Sequence, residues 1–307
     1  MKKISIVIPA YNEEGNLSEI RKAIDHVFHN LPNYKYEIIF VNDGSRDRTQ
    51  DFLEDMSLSF PEVRYIEFSR NFGHQYAVKA GLDLADGNAV ISMDADLQHP
   101  PALIPEMIRK WEEGYDIVYT IRKYPKSISR FKRSTSDFFY RILSKLSDVE
   151  LEKGSSDFRL LDASVIDVIR DGTESDVFLR GLVKWVGFRQ YAIPFVAGER
   201  FAGESKYSLG KMFRFAFTGI TAFSVKPLYL AAYLGFFFSL VSLLYIPYVI
   251  YSFMNHSEIS GWASLIMTVV FFGGVQLIIL GILGIYMGKI FKQIKGRPNY
   301  IIRSKNL

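Results

Sequence analysis

Two aspartates one residue apart, Asp94 and Asp96, stand where an apolar run stops. Ala89-Val90-Ile91-Ser92-Met93 precedes them and Leu97-Gln98-His99-Pro100-Pro101 follows. Carboxylates this close repel one another unless a cation lies between them. Paired oxygen donors suit a hard divalent ion, Mg²⁺ or Mn²⁺, and such an ion commonly bridges to a diphosphate. Taken alone, Asp-x-Asp is more often a solvated turn, so the rest of the chain has to decide.

The run before Asp94 reads as a buried strand, and the Pro-Pro pair predicts a helix from about Ala102. That arrangement delivers both carboxylates to the carboxyl edge of a sheet, where open α/β sheets bind ligands. Ile4 to Ile8 reads as another buried strand, closed by Pro9, and Leu17, Ile20, Ile24, Val27 and Phe28 recur at helical spacing after it. Glu37 to Val41 is a third strand, turning at Asn42-Asp43-Gly44-Ser45 into a helix entered through Asp47, Arg48 and Thr49. Arg64 to Phe68 and Asp116 to Ile121 add two more, and Gln75 to Leu84 is a helix behind the loop Arg70-Asn71-Phe72-Gly73-His74. Strands alternating with helices give an α/β domain with a mostly parallel sheet covered on both faces. Three polar strand ends then share one edge: Pro9, Tyr11 and Glu13; Asn42 and Asp43; Asp94 and Asp96. A nucleotide fits across them.

Composition narrows the class. The chain has 307 residues, enough for one large domain or two smaller ones. A net charge of +4 does not mark a dedicated nucleic-acid binder. Zero cysteines exclude disulfides and thiolate metal sites and suit a reducing compartment. Met1-Lys2-Lys3 runs straight into a short strand, so no signal peptide is expected.

Past the fifth strand the chain turns basic, with Arg122, Lys123, Lys126, Arg130, Lys132 and Arg133. Most of these read as a solvated face, which anionic headgroups would also favour. Arg122, at a strand end, and Arg133, on a helix expected from Ser129 to Leu146, are placed to meet a phosphate through paired hydrogen bonds. In Ser155-Ser156-Asp157-Phe158-Arg159-Leu160-Leu161 a carboxylate directly precedes an apolar strand, as a functional group or as a cap. Val177 to Val186 predicts an interfacial helix. Gly198 to Tyr207, with Arg200, Ser205 and Lys206, reads as a linker or as a loop closing over a site.

The last third is apolar. Leu209 to Ile220, with Lys211 and Arg214, predicts an amphipathic helix at a membrane interface. Pro227 to Met254 is about 28 residues, roughly 42 Å as a helix, more than a ~30 Å hydrocarbon core needs, so tilt or a kink near Pro247 is expected. Trp262 to Gly288 is a second such stretch, with Gln276 suited to a bond between helices. The connection 255–261 has no Lys or Arg, whereas Lys211, Arg214 and Lys226 flank one side and Lys289, Lys292, Lys295, Arg297 and Arg303 the other. The positive-inside rule therefore puts both termini and the soluble part in the cytoplasm, with the membrane crossed twice. The expected division is a soluble domain 1–207, an amphipathic segment 208–226, membrane helices 227–254 and 262–288, and a basic tail 289–307. Gly273, Gly274, Gly281 and Gly284 suit helix packing within one chain or in a homo-oligomer, for which a tetramer is compatible.

Val7-Ile8-Pro9-Ala10-Tyr11-Asn12-Glu13, Val41-Asn42-Asp43-Gly44-Ser45-Arg46-Asp47 and Met93-Asp94-Ala95-Asp96-Leu97-Gln98-His99-Pro100 resemble the signatures of family 2 inverting glycosyltransferases, which have the GT-A fold. The third, with Leu-Gln-His-Pro after the acidic pair, resembles the polyisoprenyl-phosphate group in particular, which includes dolichol-phosphate mannose synthase and the GtrB-type glucosyltransferases. The resemblance implies that Pro9, Tyr11, Glu13 and Asp43 hold the base and ribose of a nucleotide sugar, with Lys79 near the pyrophosphate. It implies that Asp94, Asp96 and Gln98 hold Mg²⁺ or Mn²⁺, which offsets charge on the leaving nucleoside diphosphate. Arg122 and Arg133 would then face the acceptor phosphate, Arg200, Ser205 and Lys206 the pyrophosphate or a lipid phosphate, and Asp157 would be the general base. Chemistry leaves a second role open for Asp157: a phosphate monoester has its second pKa near ~6 and needs little deprotonation, so the carboxylate can instead orient the acceptor or an arginine.

The implied reaction moves one hexose to polyprenyl (undecaprenyl) phosphate, with glucose from UDP-glucose as first choice. GDP-mannose, UDP-N-acetylhexosamine and aminoarabinose donors stay open. A processive polysaccharide synthase would carry Gln-x-x-Arg-Trp; here Arg180, Lys184 and Trp185 stand without the Gln. An inactive membrane adaptor would have no need of Asp94, Asp96 and Asp157.

Overall fold

A computed structural model describes residues 1–123, 152, 154–172, 174, 177–196, 221, 224–254 and 261–307. Its first half is a run of βα units: β1 (Lys2–Ala10), α1 (Leu17–His29), β2 (Tyr34–Asn42), α2 (Thr49–Ser59), β3 (Val63–Phe68), α3 (His74–Leu84) and β4 (Ala89–Ser92). Pro101–Leu103 forms a short 3₁₀ turn leading into α4 (Ile104–Glu112), as the Pro-Pro pair predicts. β5 (Ile117–Lys123), β6 (Ser155–Asp162), α5 (Ala163–Asp171), α6 (Leu179–Trp185) and β7 (Gln190–Val196) complete the soluble part. α7 (Lys226–Met254), α8 (Trp262–Ile294) and β8 (Ile302–Lys305) follow.

Among the described residues the strands make one eight-stranded sheet, in the order β7-β5-β6-β4-β1-β2-β3-β8. β1 pairs parallel with β2 and β4, and β2 with β3, as the alternation of strands and helices requires. Side chains alternate across β1: Ile4, Ile6 and Ile8 pack against α1, α2 and α4, and Val7 against α3 on the other face. The buried hydroxyl of Ser5 donates to Glu37 Oε1 at 2.6 Å and accepts from the Gly87 N–H at 3.0 Å, so that position carries no unsatisfied polar group.

Three strands escape the sequence reading in position or direction. β6 runs antiparallel to both β4 and β5. β7, which contains Pro194, lies at one edge, where a missing N–H is tolerated. β8 lies at the other edge, antiparallel to β3, with Ile66 opposite Lys305 and Phe68 opposite Ile302. Residues 289–307 are therefore no separate tail: α8 continues to Ile294, and the chain then re-enters the sheet. α7 and α8 are long and apolar enough to cross a membrane. Their large side chains, among them Phe236, Leu244, Leu265 and Phe271, face outward. The segment 208–220 and the expected helix 129–146 lie outside the described residues.

Candidate active site

The carboxyl ends of β1, β2 and β4 open into a cleft of ≈ 330 Å³. Pro9, Tyr11 and Glu13 line it from β1, Asp43 from β2, and Asp94 and Asp96 from the turn after β4. Asn71, Gly73 and His74 enter from the loop before α3. The three strand ends singled out in the sequence thus meet in one place.

Local geometry explains how. Asn12 takes the left-handed conformation at φ 57°, which its short polar side chain tolerates. Its Oδ1 accepts from the Arg46 N–H at 2.9 Å, and Ser45 Oγ accepts from the Asn12 N–H at 3.0 Å, tying the first two turns together. Asp43 ties in the loop before α3: its carboxylate accepts from the Phe72 N–H at 2.7 Å and from the Gly73 N–H at 2.9 Å. Burial pushes the Asp43 pKa up, and these bonds with the nearby His74 and Arg70 only partly offset that. Leu97 at φ 59° is a strained conformation for a branched side chain, stored directly behind the acidic pair. Asp96 Oδ1 accepts from the Gln98 N–H at 3.1 Å and closes that turn.

Asp94 is held from behind by His99, which is buried against Phe158. The Asp94 N–H donates to His99 Nδ1 at 3.0 Å, which assigns the ring proton to Nε2, and Nε2 donates to Ser156 Oγ at 2.7 Å. His99 is then a neutral spacer, and its 3.6 Å approach to the Asp94 carboxylate is no ion pair. Asp94 Oδ1 is buried with no hydrogen-bond partner, although His74 Nε2 lies 3.5 Å away. An unsatisfied buried carboxylate oxygen is costly, and a cation resolves it. Glu13 has its pKa raised by burial first, against a bond from Asn16, and then by the charges of Asp96, Asp94 and Asp47. Hard oxygens concentrated in this way fit Mg²⁺ or Mn²⁺. Among the described residues no three acidic or histidine side chains enclose an ion. One or two carboxylates completed by phosphate oxygens is how magnesium is usually held beside a diphosphate.

Two expected site residues, Gln98 and Lys79, are not among those that line the cleft. The Gln98 side chain, next to the lining residue Asp96 but not itself in the lining, accepts from Arg122 Nη1 at 3.4 Å. Lys79 is buried on α3 in an ion pair with Asp83, one turn along the same helix, and does not line the cleft. Arg122 stands at the end of β5, its N–H donating to Gly154 O at 2.8 Å. Arg133, Arg200, Ser205 and Lys206 lie outside the described residues.

The antiparallel run of β6 puts its start at the edge where the parallel strands end. Ser92 faces Arg159, so Asp157 comes level with Asp94, and Ser92 Oγ donates to Asp157 O at 2.6 Å. Both carboxylate oxygens of Asp157 are occupied. Arg180, from the first turn of α6, grips it through Nε to Oδ1 at 2.9 Å and Nη2 to Oδ2 at 2.8 Å. Arg159 Nη2 adds a bond to Oδ1 at 2.9 Å, and His74 Nε2 lies 3.7 Å from Oδ2. Burial pushes the Asp157 pKa up, but Arg180, His74 and Arg159 outweigh it and hold the group well below the usual carboxylate range. Burial lowers the His74 pKa, but contact with Asp157 and the charges of Asp94 and Asp157 raise it overall, against Arg180.

His74, Arg180, Arg159 and His99 were not expected as site residues. His74 had a usable signal, because its loop leaves β3 at the same edge as the other three turns. Arg180 had only a partial Gln-x-x-Arg-Trp likeness, which was not read as a site signal; its contact with Asp157 is made by the fold alone.

The resulting site has an acidic half suited to a metal-bound diphosphate and, beside it, a carboxylate clamped by two guanidinium groups. Residues 5–169 match Glycosyl transferase family 2. A Bacillus subtilis (strain 168) protein named "Uncharacterized glycosyltransferase YkcC" is 47% identical over 300 residues, 97% of this chain and 93% of that one. The SfII prophage-derived bactoprenol glucosyl transferase of Shigella flexneri is 39% identical over 305 residues, 99% of this chain and 98% of that one. Among solved structures, a mannosyltransferase from Pyrobaculum calidifontis in complex with GDP-Man and Mn²⁺ aligns with TM-score 0.49 at 18% identity, covering 72% of this chain and 63% of that one. With more than half of its length matched and relatives aligned from end to end, the chain belongs to glycosyl transferase family 2, as an enzyme of the GT-A fold.

Proposed function

We propose that the protein transfers a single glucosyl residue from UDP-glucose to polyprenyl phosphate, undecaprenyl phosphate in a bacterium, at the cytoplasmic face of the plasma membrane. The observation that carries this reading is the acidic cleft beside the Asp157–Arg180–Arg159 cluster, in a chain whose apolar helices return to the same sheet. Support for glucose and for the lipid comes from the full-length relatives named bactoprenol glucosyl transferase. A polyprenyl chain does not leave the bilayer cheaply, so its phosphate has to be met at the surface by an anchored enzyme.

The Asp94 and Asp96 carboxylates would hold Mg²⁺ or Mn²⁺, which neutralises charge on the leaving diphosphate when bound. Tyr11, Glu13 and Asp43 line the part of the cleft that receives the nucleoside. The acceptor phosphate oxygen attacks the anomeric carbon from the face opposite the diphosphate. One C–O bond forms, the bond to the diphosphate oxygen breaks, and the configuration inverts. At neutral pH the acceptor is largely dianionic, its second pKa being near ~6, so the step needs no strong base. Asp157 acts here as the anchor that aims Arg180, and Arg122 at the end of β5 supplies a further cation.

The test is product formation by the purified protein with undecaprenyl phosphate, Mn²⁺ and a panel of nucleotide sugars, read by mass spectrometry of the lipid. A lipid phosphate carrying one hexose from UDP-glucose is the expected product. The same product from GDP-mannose alone would replace the donor, longer sugar chains would favour a synthase, and no turnover with any donor would overturn the reading.

A further inference from the structure

Behind the cleft, the C-terminal segment is threaded into the sheet. Ser69 N–H donates to Ile301 O at 3.0 Å, and the Asn306 side chain accepts from the Tyr65 N–H at 2.6 Å. Between these bonds β8 caps the β3 edge, which would otherwise present unpaired backbone groups. Tyr300 carries the contact inward. Its ring stacks on the buried Phe68 at 5.1 Å and 12°, and its hydroxyl donates to Asp83 of α3 at 2.9 Å. Phe68 in turn meets Phe72 edge-on at 5.6 Å. Phe72 and Gly73 are the residues whose N–H groups Asp43 holds, and His74 follows at once, 3.5 Å from Asp94. An unbroken set of contacts therefore joins Tyr300 to the wall of the cleft.

The other end of the segment is α8 itself. That helix stops at Ile294, and Gly296, at φ 57°, turns the chain. From Gly296 to Tyr300 the backbone reaches at most about 14 Å, so the strap has little slack. Asn299 Nδ2, donating to Glu174 O at 3.0 Å, takes up more of it.

We propose that Tyr300 is a positioning residue for the donor cleft: through Phe68, Phe72 and Asp83 it holds the His74 loop in the form that binds a nucleoside diphosphate, and so links that form to the seating of α8. The inference rests on reading the cleft as a nucleotide-sugar site. If β8 were merely an edge cover, losing Tyr300 would lower stability and leave nucleotide affinity of the folded protein unchanged.

The full chain in nanodiscs decides this with two readouts. For Tyr300→Ala, the Kd for UDP with Mn²⁺ and the donor KM should rise about fivefold or more, within the range usual for coupled sites, while the acceptor KM holds. Hydrogen exchange of the peptide spanning Phe72 to Tyr76 should speed up in the same variant without any nucleotide. Should Tyr300→Ala fail to fold, Tyr300→Leu, which keeps an apolar group on Phe68, carries the same expectation. An unchanged UDP Kd with unchanged exchange at that loop, whatever the melting temperature, would overturn the proposal. Failure of the unmutated protein to bind UDP or GDP would instead overturn the donor reading, and the exchange measurement would still decide the strap.

Discussion

A general base needs an accessible oxygen and a pKa near the working pH, whereas Asp157 is buried, bonded to arginine through both oxygens, and held well below the usual carboxylate range. Arg180 and Arg159 occupy its two oxygens, and it stays ionised far into acid. Asp157→Asn should therefore cut kcat by about 10–100-fold through a misplaced Arg180, the scale at which supporting contacts act, and leave the pH–rate profile unchanged in shape. Loss of one limb of that profile in the variant would restore the base. Asp94→Asn should abolish metal-dependent turnover and leave the melting temperature equal or higher, because the orphaned buried oxygen Oδ1 is relieved of charge. A variant with full Mn²⁺-dependent activity would sink the metal assignment. Asp94 and Asp96 were readable from sequence because they end an apolar strand, and the ends of parallel strands share one edge by topology, whereas Asp157 precedes its strand and reaches that edge only through the antiparallel run of β6. Lys79 was placed near the pyrophosphate by family resemblance only. On α3 it finds Asp83 four residues on, and that neighbour, invisible to a motif, takes it into the protein.

Elements deliver these residues only if they pack closely, and α3 on β1 is the tightest case. A Cβ on Gly81 would lie 2.2 Å from Val7 Cγ1 and 2.9 Å from Cγ2. Gly81→Ala should then destabilise by about 1–3 kcal/mol through overpacking, against a helix-propensity gain of about 1 kcal/mol at most. Adding Val7→Ala should recover part of the loss; thermal unfolding of the three variants checks both signs. At the start of α5, Asp162 caps the helix by accepting from the Ser164 N–H at 2.9 Å and also accepts from Trp111 Nε1 at 2.7 Å. Burial raises its pKa, but the Ser164 and Trp111 bonds and the charge of Lys2 outweigh that and lower it. A depressed carboxylate stabilises above its unfolded pKa and loses that contribution in acid. The stability difference between the unmutated protein and Asp162→Ala, about 1 kcal/mol for a lost cap, should accordingly shrink as pH falls below about 3.9. The βα units were legible at this scale because long apolar runs and helical spacing repeat. β6 was legible as a strand and its direction was not, since nothing local distinguishes a parallel from an antiparallel partner. β8 is four residues, half of them charged, beside a basic stretch, so its composition reads as tail even though its alternating exposure is that of an edge strand.

At the scale of the whole chain, β8 bears on membrane topology independently of charge. β1 and β8 belong to one sheet, so the residues before α7 and those after α8 lie on the same side of any membrane the two helices cross. Two crossings satisfy this and one does not. The excess of Lys and Arg on both outer flanks, with none in 255–261, is what supports the proposed cytoplasmic side. Both arguments are needed, because pairing in the sheet says nothing of which compartment and charge bias says nothing of contact. The absence of cysteine makes the test direct. Single substitutions Ser257→Cys, Ser45→Cys and Lys295→Cys give one thiol each, probed in intact cells by a membrane-impermeant maleimide. Ser257→Cys should label from outside, and the other two only after the membrane is opened. Labelling of Lys295→Cys from outside would place the two ends of the hairpin on opposite faces. The pairing of β8 with β3, and with it the strap through Tyr300, could not then exist in the membrane-bound enzyme.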